Sequence, residues 1–276
     1  MIDVAILSLL WLSQVLYLSA LILALFNGTS GKPDKTFRYV YALALMSNAA
    51  MFIFMIITNR YPTQYEYMNC LTKSFFTALI AYVGTKGRKS NLPAAISLIV
   101  ALFFSLSSMH LTMTLELGTG MPHGFEPYIV LFFQLISLSI GFFGYCFALS
   151  VSHMLGHEEN GKASLWANGA ICKAALGGFV CFTFSQLFGS VWSLTGGWGD
   201  VWIWGSSHIY SAMIWIFYAG MLHVPAAEGL PKKALPAMGV IGFSIIVFYM
   251  LYSEYSILPM YKAMKAAWIM TASGIV

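Results

Sequence analysis

Long runs of apolar residues, separated by short polar connections, dominate the chain. A helix needs about 20 consecutive apolar residues to cross a bilayer, so these runs predict membrane-spanning helices. We predict eight of them, at residues 4–26, 39–58, 66–84, 92–110, 127–151, 164–190, 207–223 and 236–256. The first run lacks the basic start and cleavage site of a secretory signal, so we interpret it as a helix. The prediction is one all-α, polytopic membrane domain over residues 1–276.

Composition agrees with this pattern. Hydrophobic residues make up 59% of the chain and charged residues only 9%, and the mean hydropathy is +0.77. A soluble protein of this size needs more charge to cover its surface, so the lipid bilayer is the expected solvent. The scattered lysines build no basic face outside the membrane, and we therefore expect no nucleic-acid partner.

Basic residues fall mainly in three alternate connections. They are Lys32, Lys35 and Arg38 after the first predicted helix, Lys86, Arg88 and Lys89 after the third, and Lys232 and Lys233 after the seventh. The opposite connections hold chiefly Arg60. By the positive-inside rule, the basic connections face the cytoplasm and both termini lie outside. We expect an integral protein of a bacterial-type cytoplasmic membrane or of an organellar inner membrane.

The connection before the seventh helix is unusually rich in tryptophan. Four of the chain's eight tryptophans lie within thirteen residues: Trp192, Trp198, Trp202 and Trp204. The indole rings offer stacking area and N–H donors, and nearby glycines permit close approach of a planar ligand. Anchoring at the outer membrane interface is the alternative interpretation.

This segment resembles the cytochrome c assembly proteins of the CcsA and CcmC type. The family's outer-loop pattern W-G-x-x-W-x-W-D is matched by Trp198, Gly199, Trp202 and Trp204. The upstream pattern G-x-x-W is matched by Gly189 and Trp192. The downstream pattern W-x-x-Y-A-x-x-L-H is matched by Trp215, Tyr218, Ala219, Leu222 and His223. The resemblance implies a membrane scaffold that moves heme, presents it on the tryptophan surface and joins it to apocytochrome c with partner subunits.

The chain departs from the family pattern at the outer ligands. Gly205 replaces the aspartate of the loop pattern. Where the family has outer histidines, this chain offers Phe132, Phe133 or Gln134 before the loop and Tyr261 after the last helix. Ligands for externally presented heme are therefore missing from the expected positions.

The remaining histidines are candidate heme ligands, because imidazole is well suited to axial coordination of iron. The resemblance implies that His223 holds heme inside the membrane; an ordinary helix-ending histidine before Pro225 is the alternative. His208 begins the same helix at the outer side and could replace a lost outer ligand. His110 and His123 flank an outer loop and could supply an opposing ligand. His153 and His157 share a helical face, which we interpret as a solvated cytoplasmic helix end.

Two lysines lie inside predicted spans. An unpaired lysine in hydrocarbon costs several kcal/mol, so Lys73 and Lys173 need a partner or an anionic ligand such as a heme propionate. Snorkelling of the long side chain towards an interface is the alternative for both.

The preferred interpretation is a heme-binding membrane protein of the cytochrome c assembly type. It holds heme b and contacts heme or a cytochrome at the outer tryptophan loop. In the alternative, the scaffold serves a respiratory complex as a membrane subunit, with b-type heme or quinone beside a multiheme cytochrome, or as a heme-free anchor. No hydrolytic or phosphate-binding motif is present, so any activity would be heme transfer or quinol-linked electron transfer with partner subunits.

Overall fold

A computed structural model of the chain describes residues 2–27, 35–57, 66–86, 90–114, 127–155, 162–195, 206–227, 231 and 233–251. Within these ranges it contains eight α-helices and one 3-10 turn. The helices are α1 (Ile2–Asn27), α2 (Lys35–Ile57), α3 (Glu66–Gly84), α4 (Leu92–Thr114), α5 (Pro127–Met154), α6 (Lys162–Thr195), α7 (Ser206–His223) and α8 (Ala234–Met250). All eight predicted helices are confirmed, and most ends agree within a few residues.

The helices have the length and composition of membrane spans. Five described helical stretches are long and apolar enough to cross a bilayer: Ser8–Phe26, Lys35–Met55, Pro127–Met154, Asn168–Leu194 and Ile209–Ala226. Two shorter apolar stretches lie in α4 and α8. The protein is therefore an all-α, polytopic membrane protein. At 34 residues, α6 is about 51 Å long, which exceeds the roughly 30 Å of hydrocarbon in a bilayer.

Helices α5 and α6 form a closely packed antiparallel pair. Phe132 near the start of α5 meets Gly189 near the end of α6, whereas Phe143 meets Gly178 farther along. A Cβ atom at Gly178 would overlap the Phe143 ring. The missing side chains therefore let the two backbones approach closely, as small residues do between membrane helices.

Helices α7 and α8 complete the second half of the bundle. Tyr210 stacks on Tyr249 with ring centroids 4.3 Å apart, and Phe217 lies against Gly242, so α7 and α8 are antiparallel. Ser150 of α5 lies against Gly239 of α8. These contacts make α7 parallel to α5 and antiparallel to α6.

Interhelical hydrogen bonds hold the first half of the bundle. Asn48 Nδ2 donates to the Tyr17 hydroxyl at 2.6 Å, and the Tyr41 hydroxyl donates to the Ala78 carbonyl at 2.9 Å. Such bonds tie helices together in lipid, where water is not available to polar groups.

The described basic residues at the alternate connections gather at one end of the bundle. Arg38 Nη2 donates to the Thr85 carbonyl at 3.5 Å, so the start of α2 lies beside the end of α3. Gly84 lies beside Tyr145 in the last part of α5, and that part of α5 adjoins the start of α8. We call this the basic end; its described cations include Lys35, Arg38, Lys86 and Lys233. The end of α6, with Trp192, lies at the opposite end, the tryptophan end.

Candidate functional site

His223 ends α7 at the basic end of the bundle and is exposed. A 3-10 turn over Val224–Ala226, with Pro225 in it, follows directly. The His223 Nδ1 atom lies 2.7 Å from the Ala219 carbonyl oxygen. Because a carbonyl only accepts hydrogen bonds, Nδ1 must carry the proton in this contact. The neutral ring then keeps its lone pair on Nε2, the form in which histidine binds a metal.

Lys173 of α6 lies at the same depth in the bundle as His223. Trp215 of α7 packs on Phe179, with ring centroids 5.2 Å apart, and its Nε1 donates to Thr183 Oγ1 at 3.0 Å. His223 follows Trp215 by eight residues in the antiparallel helix, so it is level with residues 171–175 of α6. Lys173 is exposed, and a cation therefore stands level with the candidate ligand.

Lys73 differs from Lys173. It is only 4% exposed, inside the bundle, so it does not extend to the surface as snorkelling would require. Little of its surface is therefore accessible to a ligand from the bilayer. We therefore interpret Lys73 as part of the bundle interior.

Trp215 and Tyr218 position α7 rather than face outwards together. Tyr218 is fully buried and stacks on Phe143 of α5, with ring centroids 3.6 Å apart and an angle of 14° between the rings. Trp215 joins α7 to α6 through its hydrogen bond to Thr183. The two aromatic residues fix the helix, and His223 at its end projects from the bundle.

Trp192 is the one member of the predicted tryptophan cluster in the described part of the chain. Its ring centroid lies 5.9 Å from that of Phe132 and 6.2 Å from that of Phe133. These two phenylalanines occupy the region where the resemblance implies an outer histidine. In this region the described side chains form an aromatic cluster and supply no imidazole.

Several other predicted site residues cannot be placed. Trp198, Trp202, Trp204, His123 and His157 lie outside the described residues, and for His208 and His110 only the helical backbone is described. Because α7 runs unbroken from Ser206 to His223, the backbones of His208 and His223 are about 22 Å apart along the axis. One heme therefore cannot use both.

His153 faces a different environment from His223. It is half-buried, and its Nδ1 atom is buried with no hydrogen-bond partner among the described residues. It lies on α5, towards the interior of the bundle. The Nδ1 atom of His153 is therefore hidden from the surface, whereas His223 is exposed.

An apolar groove of about 760 Å³ lies between α7 and α8 towards the tryptophan end. Ile209, Met213 and Phe248 are among its lining residues, and Tyr210 and Ser244 are its polar ones. The Ser244 hydroxyl donates to the Val240 carbonyl within its own helix. The groove contains none of the predicted ligands, so we do not regard it as the candidate site.

Comparison with known proteins decides the family. The sequence profile of the cytochrome C assembly protein family matches residues 5–258. The chain belongs to this family. The predicted resemblance is thus confirmed over nearly the whole chain.

Sequence identity between this chain and individual family members is low and covers only part of the chain. The chain is 28% identical over 75 residues to cytochrome c biogenesis protein CcsA of Prochlorococcus marinus strain MIT 9312, covering 27% of this chain and 24% of the relative. The protein of the same name from strain AS9601 matches to the same extent. These matches span about a quarter of the relatives' length.

A solved structure shares the fold of this family member. Cytochrome c heme lyase CcmF superposes with a TM-score of 0.65 and 16% sequence identity, covering 87% of this chain and 45% of that chain. The shared helical arrangement is therefore that of a larger protein of which this chain matches less than half.

Sequence reasoning missed two neighbours of His223. The Ala219 carbonyl orients its ring, and Gly220, three residues before it, has open space at its Cβ position among the described residues. The available signals were the spacings of four and three residues, which place both on the preceding helical turn.

Proposed function

We propose that this chain binds heme in the membrane through His223 and acts in cytochrome c assembly. The observation that carries the proposal is the hydrogen bond from Nδ1–H of His223 to the Ala219 carbonyl. It holds the ring in the tautomer that offers Nε2 to iron, and it acts as the outer hydrogen bond that metal-binding histidines usually make. The exposed position leaves Nε2 accessible to a large ligand.

The surroundings of His223 fit a heme group. Lys173, level with His223 and exposed, would bind a propionate, while exposed Leu176 and Ile216 supply apolar surface for the macrocycle. When bound, the iron supplies a redox centre or the cargo to be delivered. We propose heme b, since the described cysteines lie within helices and carry no covalent attachment pattern.

The names of the similar proteins support the wider proposal. Two are called cytochrome c biogenesis proteins, and the structural match is called a heme lyase. We propose that this chain is the heme-holding part of a comparable apparatus. Its partners would be cytochrome c and other membrane subunits, because the chain matches less than half of the heme lyase.

We propose that the outer tryptophan loop contacts heme or a cytochrome. Trp192 shows how one end of this segment is supported, by ring contacts to Phe132 and Phe133. The proposal assigns a stacking role to the remaining tryptophans, which lie outside the described residues. The basic end would lie in the cytoplasm and the loop outside, in accord with the positive-inside rule.

The loop proposal predicts a selective defect. Replacing both Trp202 and Trp204 by Leu removes stacking area and N–H donors but keeps the segment apolar, so insertion and total yield should stay unchanged. Binding of a c-type cytochrome to the protein in nanodiscs should weaken about tenfold, which corresponds to about 1.4 kcal/mol. Unchanged cytochrome binding by the double variant would refute the loop proposal and favour the alternative, in which the tryptophans anchor the protein at the membrane interface.

A second function is favoured by the aromatic cluster at Phe132 and Phe133. With no imidazole supplied by this cluster, the chain would hold heme b as a redox centre, or bind quinone, beside a multiheme cytochrome instead of transferring heme. A reduced heme that is reoxidised by quinone and co-purifies with a multiheme cytochrome would support this function. Transfer of heme to apocytochrome c would exclude it.

The main proposal predicts the effect of His223→Ala. The variant loses the only atom we assign to iron coordination, and its side chain is exposed, so folding should survive. We expect about one heme equivalent per chain to disappear in a pyridine hemochrome assay of purified protein. His153→Ala, which alters an inward-facing histidine, is the matched control and should keep its heme. Equal heme content in wild type and His223→Ala would refute the proposal.

A further inference from the structure

The outward face of α7 is open beside His223. Ile216 is 64% exposed, and His223 and Gly220 are exposed as well. These positions lie three or four residues apart, on one helical face. The buried residues of α7, Ile214, Tyr218 and Met221, lie on the opposite side. The candidate iron ligand therefore faces away from the helical bundle.

Gly220 makes no close packing contact with the described residues. A Cβ atom built there would meet none of their atoms within 4 Å. Gly178 and Gly242 contrast with it, because a Cβ atom at either would press on an aromatic ring of a neighbouring helix. Glycine inside a helix costs about 1 kcal/mol relative to alanine. Contacts within the described part of the chain therefore do not require a glycine at position 220.

The orientation of His223 connects the ligand to this open surface. The bond from Nδ1 to the Ala219 carbonyl bends the imidazole back over the preceding turn, as helical side chains generally do. Gly220 belongs to that turn, about 4.5 Å from His223 along the axis. A planar ligand bound at Nε2 and lying along the outward face of α7 would pass over Gly220, which shares that face with His223.

We infer that heme binds on the lipid-facing surface of α7, which we call the lateral site, and reaches His223 sideways from the bilayer. The macrocycle lies against the backbone at Gly220, and Lys173 of α6 binds a propionate at the same depth. This inference rests on the proposed function, because it assumes that His223 binds heme. It adds a positioning role for Gly220 and an entry route from the lipid phase.

The first test is a pair of glycine substitutions. Gly220→Leu places a side chain where the macrocycle would lie. Gly169→Leu adds the same side chain at another exposed glycine, whose Cβ position also has no described atom within 4 Å. Both glycines are exposed and have open space at the Cβ position among the described residues, so we expect both variants to fold, as checked by gel filtration and thermal unfolding. Hemin titration should show at least about tenfold weaker binding for Gly220→Leu and no change for Gly169→Leu. Wild-type hemin affinity in Gly220→Leu would overturn the inference that heme binds over Gly220.

The same experiment separates the two proposals. If His223→Ala loses heme but Gly220→Leu keeps it, His223 binds heme elsewhere than over Gly220, and only the inference fails. If His223→Ala keeps heme, the proposed function fails first.

The second test asks whether the bound macrocycle touches lipid. Zinc protoporphyrin IX is titrated into nanodiscs of phosphatidylcholine with or without brominated acyl chains, and the His223→Ala signal is subtracted as background. The lateral site on α7 predicts strong quenching of the His223-dependent fluorescence by the brominated acyl chains. Fluorescence that is not quenched by bromine would place the porphyrin inside the bundle and overturn the inference of a lateral site.

Discussion

At the scale of single residues, one hydrogen bond defines the candidate ligand. The Ala219 carbonyl can only accept, so it fixes the protonated nitrogen of His223 and leaves Nε2 for a metal. The residue itself was predictable from the family pattern. Its tautomer and exposure were not, because they depend on the ring's direction and on which face of α7 packs inwards.

Trp215 provides a second test at the residue scale. Trp215→Phe keeps the aromatic contact with Phe179 but removes the bond to Thr183, so we expect a loss of about 0.5–1.5 kcal/mol in unfolding free energy. Denaturant unfolding in mixed micelles measures this change.

The matched background is Thr183→Val, which lacks the acceptor oxygen. There the Trp215→Phe substitution should cost almost nothing. An equal cost in both backgrounds would show that the indole N–H contributes nothing to the α6–α7 contact.

At the scale of elements, the apolar runs gave reliable helices and little information on their packing. The predicted seventh helix, 207–223, agrees with α7 within one residue, because polar connections and Pro225 limit it. By contrast, Gly178 was one glycine among many in the sequence. Only its position beneath Phe143 shows why a side chain is excluded there.

The packing of α5 on α6 predicts opposite effects of alanine at two glycines. In Gly178→Ala the new methyl group overlaps Phe143, which cannot move away freely because Tyr218 stacks on its ring. We expect a destabilisation of about 1–3 kcal/mol. Gly169→Ala meets no neighbour among the described residues and should gain up to about 1 kcal/mol from helix propensity.

Thermal unfolding of both variants in the same detergent measures these effects. Equal transition temperatures for Gly178→Ala and wild type would contradict the close contact between α5 and α6.

At the scale of the whole molecule, the bundle has two chemically distinct ends. The bond between Arg38 and Thr85 confirms that two basic connections meet at one end, as the alternation of charge along the sequence predicted. His223 lies at this end and Trp192 at the other. Which end faces the cytoplasm depends on the membrane, so it stays a prediction from the positive-inside rule.

Cysteine labelling tests this orientation. In a variant with its four native cysteines replaced by alanine, we introduce Lys86→Cys or Lys233→Cys at the basic end, or Gly199→Cys in the tryptophan loop. A membrane-impermeant maleimide should label Gly199→Cys in intact spheroplasts, and the other two only after permeabilisation. The reverse pattern would contradict the predicted orientation.

The central claim is that heme binds this bundle through His223. A high-resolution cryo-electron microscopy map of the protein, purified from heme-replete cells into lipid nanodiscs, tests it most directly. We predict a planar density with a strong metal peak at its centre, joined to the His223 imidazole. A map that shows a well-defined His223 ring with only lipid beside it would contradict the claim.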